Sequence, residues 1–139
     1  MNATLYIETN KLVLQWGGRV AEIPLSIADL EAQFTPYPSS EITWGSSIMQ
    51  VEDAISPYRD ALVDYHVLEL YNAASLRTLS DEIGQISIEL IECAFAVLAG
   101  YRPSRDLPKL SHNATTAAFV LLLREWGHHL DFDLIQLMD

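Results

Sequence analysis

A single cysteine, Cys93, stands among the 139 residues, so the chain can form no internal disulfide. It lies in LIECAFAVLAG, an apolar run of helical character, and reads as an inert core thiol. Bases are scarce as well. Eight Lys and Arg face 19 Asp and Glu, for a formal charge of -11. A surface of that sign repels phosphate backbones and anionic lipid, which argues against ordinary nucleic-acid binding and against docking on a membrane. The apolar run AAFVLLL is far too short to span a bilayer. The N-terminus has neither the basic segment nor the apolar stretch of a signal peptide. A cytoplasmic location is the expectation, and it leaves the Asn-x-Thr sequons at Asn2 and Asn113 with little meaning. Phosphate-loop, dinucleotide-fold, nucleophile-elbow, C-x-x-C and H-E-x-x-H signatures are all missing. No cofactor is expected.

Half the residues are hydrophobic, enough for a globular chain of this length, and residues 1–139 read as one domain. Residues 1–25 alternate like strands. Leu5 and Ile7 share a face, as do Leu12, Leu14 and Trp16, and then Ala21, Ile23 and Leu25. Asn10 and Gly17-Gly18 supply the reversals. The pattern predicts a three-stranded antiparallel meander, with Pro24 marking a strand end or an edge. Residues 26–139 read as mainly helical. Ser26 with Asp29 resembles a capping box, and Trp44, Ile48, Val51 and Ile55 recur at helical steps. Ser56-Pro57 predicts a helix through YRDALVDYHVLELYNAAS. Ser80 opens a further one that carries Ile83, Ile86, Leu90, Ala94 and Val97 and stops near Gly100. HNATTAAFVLLLREW is the last long helix, with Gly127 as its stop. The expected fold is α+β: the N-terminal meander packed on three to four helices. The C-terminal LDFDLIQLM is either an extra strand or a short helix capped by Asp131 or Asp133.

GHHLDFDL raises the question of metal chemistry. Imidazole and carboxylate suit zinc, but in a strand His128 and His129 point to opposite faces. Only His129, Asp131 and Asp133 would share one, as a flat row that makes a poor tetrahedral site. The expectation is no metal there. A second constellation is RDALVDYH, in which Arg59 and His66 stand two helical turns apart. Their spacing resembles the Arg-x4–6-His signature of HEPN-domain ribonucleases. The resemblance implies a metal-independent ribonuclease in which His66 moves the proton at a ribose hydroxyl and Arg59 steadies the phosphate. The flanking Asp60, Asp64 and Glu69 would repel RNA. A third, HNATTAAFVLLLREWG, faintly resembles the Fic/Doc helix at Asn113, Thr116 and Ala117. RDLPKLSH stands in place of that family's His-Pro-Phe, and Ala114-Thr115 in place of its Lys-Arg pair, so no site residues carry over.

The acidic middle is the clearest feature. From Glu41 to Glu92 there are ten acids and only Arg59 and Arg77 as bases. Acids at helical spacing without basic partners repel one another, and a basic protein partner would relieve that. The resulting expectation is a non-catalytic protein-binding protein, such as an inhibitor, an immunity protein or a subunit of a larger assembly. Glu52, Asp53, Asp60 and Asp64 would steer the partner, with Tyr58 and Tyr65 as apolar anchors. Homo-oligomerisation stays open. The alternative is the ribonuclease built on Arg59 and His66.

Overall fold

The computed structural model describes residues 1–138. The meander is present as β1 (Asn2–Ile7), β2 (Leu12–Trp16) and β3 (Arg19–Ile23). Leu5 pairs with Leu14, and Leu14 with Ala21, both antiparallel. Gly17 and Gly18 turn β2 into β3 with φ of 51° and 78°, the doubly left-handed turn that matches strand twist. Pro24 follows β3, which lies at the sheet edge as its missing donor demands.

Helices α1 (Ile27–Gln33), α2 (Glu41–Ile55), α3 (Ile88–Leu98) and α4 (Ala114–Leu130) each begin at a side-chain cap. The caps are Ser26, Ser40, Ser87 and Asn113, whose side-chain oxygens accept the N–H groups of Asp29, Thr43, Leu90 and Thr116. Each bond satisfies one of the orphan donors of a first turn. Three more strands, β4 (Val67–Tyr71), β5 (Gln85–Ser87) and β6 (Leu134–Leu137), complete a six-stranded mixed sheet in the order β3-β2-β1-β4-β6-β5. β4 runs parallel to both β1 and β6, and the other pairings are antiparallel. The fold is α+β. Ala3, Leu5, Ile7, Leu12, Leu14, Leu68, Leu70 and Ile135 form a buried sheet face in one core with Trp126, Phe34 and Val120 from the helical side. The alternate positions, among them Thr4, Tyr6, Glu69 and Tyr71, stay half-buried.

Three helical expectations need correction. Ser56-Pro57 starts only the 3₁₀ turn Ser56–Tyr58, and turns continue before β4. Leu68 and Leu70 are buried while Val67, Glu69 and Tyr71 are half-exposed, so the segment obeys period two. Ser80 caps no helix. Its hydroxyl donates to the Arg77 carbonyl at 2.9 Å. Asp81 Oδ1 instead accepts from the Ile83 and Gln85 N–H groups at 3.0 and 2.9 Å. That turn, with Gly84 at φ 81°, feeds β5, and α3 begins only after Ser87. Gly127, the expected stop, lies inside α4 because α3 passes close by. A Cβ there would meet Ile88 Cγ2 at 2.7 Å, so the position needs glycine for packing and not for termination. The helix ends at Asp131, left-handed at φ 57°. Of the two C-terminal alternatives, the strand is the one that forms.

Candidate functional site

β1 and β4 run side by side in the same direction, with Asn2 opposite Val67 and Tyr6 opposite Tyr71. Their chains then part. β1 turns back into β2 on one side, while β4 leads into the 3₁₀ turn Ala74–Leu79. Ligands of open sheets with parallel strands bind outside such carboxyl ends, where neighbouring strands lead in opposite directions.

The local sequence builds a firm floor there. Glu8 N–H donates to the Lys11 carbonyl at 3.0 Å, closing the β1–β2 turn. Ser26, the cap of α1, donates its hydroxyl to the Thr9 carbonyl at 3.1 Å. Asn72 adopts φ 66°, a left-handed conformation that asparagine tolerates. Its Nδ2 donates to the Ile7 carbonyl at 3.2 Å and ties the two strand ends together. Ile7, Glu8, Thr9, Asn10, Lys11 and Asn72 line an open recess of about 790 Å³. A smaller one of about 270 Å³ adjoins it at Asn72, with Arg77 on its wall. Lys11 Nζ lies 2.5 Å from Glu22 Oε1. This hydrogen bond and the Glu22 charge push the ammonium above its ordinary pKa, so Lys11 stays cationic. None of Glu8, Lys11, Asn72 or Arg77 was expected as a site residue. The one local signal is Asn72, a turn-prone residue directly after the alternating VLELY.

The residues that were expected to act together are dispersed. Arg59 lies in the exposed turn after the 3₁₀ segment, and His66 directly precedes β4. They share no helix, so the ribonuclease alternative loses its geometric premise. His66 Nδ1 sits 3.8 Å from Asp133 Oδ2 instead. His128 and His129 belong to α4, not to a strand. His128 Nε2 meets Glu92 Oε1 on α3. His129 Nε2 lies 3.2 Å from Glu52 Oε1 on α2 and 3.3 Å from Glu125 Oε1 one turn back on α4. Asp131 is the exposed helix cap, and Asp133 is exposed beside His66. The row His129, Asp131, Asp133 does not exist.

The residues expected on one docking face lie on different elements. Glu52 faces α4, while Asp53 is exposed on α2 and Asp60 and Asp64 are exposed in turns. Tyr58 packs edge-on against Trp16 at 5.9 Å. Tyr65 is buried, its hydroxyl so close beneath Gly17 that a Cβ there would lie 2.6 Å from it. Neither tyrosine stands on a common acidic helix.

Deeper in the helical layer, Glu125 is buried, its side chain 2% exposed, and Arg124 Nη1 holds its Oε2 at 2.9 Å. Burial raises its pKa, Arg124 opposes the shift, and the neighbouring Glu52 carboxyl adds to it. Arg124 is shared, since its Nε also donates to Glu92 Oε2 at 3.2 Å and its guanidinium lies 4.1 Å from the Phe95 ring centre.

No protein-family model matches this sequence, and no curated protein does. Solved structures do match in shape. The type II variant of the Ppx/GppA phosphatase from Aquifex aeolicus superposes with a TM-score of 0.73 at 12% identity, over 99% of this chain and 53% of that one. A further structure of the Aquifex aeolicus PPX-GPPA enzyme gives 0.72 at the same identity and coverage. This chain shares its fold with about half of those proteins. It spans about half their length. The likeness overturns the expectation of a non-catalytic inhibitor or immunity protein, because the matching proteins are phosphatase enzymes and the acidic docking helix is not formed. No helix among the described residues is long and apolar enough to cross a membrane.

Proposed function

We propose that this chain is a phosphatase-type domain that receives a small phosphoryl-bearing molecule at the carboxyl edge of β1 and β4. The observation that carries the reading is the recess between the parting strand ends, which brings Glu8, Lys11 and Asn72 together. Phosphoryl transfer asks a protein mainly for positioning and charge stabilisation. Lys11 would exchange Glu22 for a phosphoryl oxygen and offset the charge that builds there. Glu8 would take a proton from the attacking water, which forms the new P–O bond as the old one breaks. Asn72, braced on Ile7, holds the two strand ends at a constant separation. On a chain with so negative a surface, Lys11 on the wall of the recess and Arg77 on the wall of the adjoining one place positive charge at this edge. A cytoplasmic setting belongs to the same proposal.

A phosphate-release assay in magnesium buffer tests this, with inorganic pyrophosphate and a nucleoside triphosphate as probes. The wild-type chain is expected to release phosphate, and Glu8→Gln to lower the rate by about 10²-fold or more, the usual contribution of a positioned base. Lys11→Met should weaken turnover while leaving the fold intact. Release that is equal in wild type and Glu8→Gln, or absent from both with both probes, would contradict the proposal.

A further inference from the structure

A second centre lies in the helical layer and does not depend on the phosphoryl reading. We propose that Glu52, Glu125 and His129 bind one divalent transition-metal ion of the zinc type.

Both carboxylates aim at the same imidazole nitrogen. His129 Nε2 stands 3.2 Å from Glu52 Oε1 and 3.3 Å from Glu125 Oε1, and all three donor atoms fall within 4.8 Å of one another. Zinc bonds of about 2.0–2.1 Å in a tetrahedron separate neighbouring ligand atoms by about 3.3 Å, so the two observed separations match a tetrahedral edge. Glu125 and His129 project from the same side of α4 because they are one turn apart. Glu52 comes from α2, so the ion would bridge two helices. The donor set of one imidazole nitrogen and two carboxylate oxygens suits zinc or a related ion.

The supporting shell has the form that metal sites need. Arg124 holds Oε2 of the buried Glu125, which fixes the carboxylate and leaves Oε1 turned to His129. Glu52 and His129 have side chains 38% and 35% exposed, which gives the ion an entry path and leaves a fourth position for water. Local charge points the same way. The carboxylates of Glu52, Glu92 and Glu125 meet at the α2–α4–α3 junction around one permanent cation, Arg124, which must serve both Glu92 and Glu125. His128 faces Glu92 and His129 faces the other two acids. The junction thus gathers carboxylates around a shared guanidinium, next to the buried Glu125, and a divalent ion at His129 would add positive charge there.

The test is calorimetric titration of ZnCl₂ into the full chain after treatment with a strong chelator, paired with thermal melts. One saturable site per chain and a rise in melting temperature are expected. Glu52→Gln and His129→Gln, both at half-exposed positions, should each weaken binding by at least about tenfold, as loss of a ligand requires. Titration of cobalt should give a visible absorption band in the wild type that is lost in His129→Gln. Absence of saturable zinc binding would overturn the site. Binding of unchanged strength in both variants would overturn it too, by placing the ion elsewhere, for example at His66 beside Asp133. Phosphate release plays no part in these readouts, so failure here and failure of the phosphatase reading are separate results.

Discussion

Truncating Leu68 or Leu70 to alanine is expected to cost about 2–5 kcal/mol of folding stability each, while Val67→Ala and Glu69→Ala cost about 1 kcal/mol or less. Leu68 and Leu70 are fully buried at the centre of the sheet, between β1 and β6. Val67 and Glu69 alternate with them on the half-exposed face, where Glu69 Oε1 accepts from the Thr4 hydroxyl at 3.1 Å. Urea denaturation of the four variants would read this pattern directly. A cost that recurred every three or four residues would mean that the segment is helical, as its Ser56-Pro57 start suggests. The strand ends, and with them the recess, would then be misplaced.

Arg124→Met is expected to cost about 3–5 kcal/mol, the usual loss when a buried pair keeps one of its charges. Methionine preserves much of the apolar stem, so the loss isolates the guanidinium. Its removal leaves Glu125 buried without the cation at 2.9 Å, frees Glu92 Oε2 at 3.2 Å and removes the stacking on Phe95. The double variant Arg124→Met/Glu125→Gln should recover much of the stability, because a neutral amide carries no charge to compensate. Equal losses in the single and double variants, measured on chelator-treated protein, would show that Arg124 acts only through packing.

Parts of this architecture were legible in the sequence for local reasons. The meander was, because Gly17-Gly18 and clean alternation are short-range signals. The start of α1 was, because Ser26 is a cap of familiar type, and the body of α4 was, because HNATTAAFVLLLREW is a long helical run. β4 was not. Its five residues lie downstream of a serine-proline pair that ordinarily opens a helix, and its partners Asn2–Tyr6 and Leu134–Leu137 are more than 60 residues away in each direction. No local pattern announces a parallel pairing across such distances. The recess inherits that blindness, since Glu8 and Asn72 meet only once β1 and β4 pair.

Gly127 hid the helical cluster. Read as a stop, it placed His128 and His129 in a strand and turned His129 toward Asp131 and Asp133. Read as a packing glycine against Ile88, it extends α4 by another turn and sets His129 over Glu125. The remaining member, Glu52, lies 73 positions before Glu125 in the chain, beyond the reach of any spacing rule. The acidic middle divides in the structure. Asp53, Asp60 and Asp64 are exposed, whereas Glu52 and Glu92 are turned toward α4 and engage His129, Arg124 and His128, a division that a count of acids does not reveal.

Phosphoryl ligands are expected to bind at the carboxyl edge of β1 and β4. Amide chemical shifts recorded while inorganic pyrophosphate is titrated into the isotope-labelled chain test it most directly. Saturable shifts concentrated on Thr9, Asn10, Lys11 and Asn72, and suppressed in Lys11→Met, are the expected result. Saturable shifts that cluster elsewhere, or no saturable shift at millimolar pyrophosphate (about 4 kcal/mol of binding free energy), would contradict it.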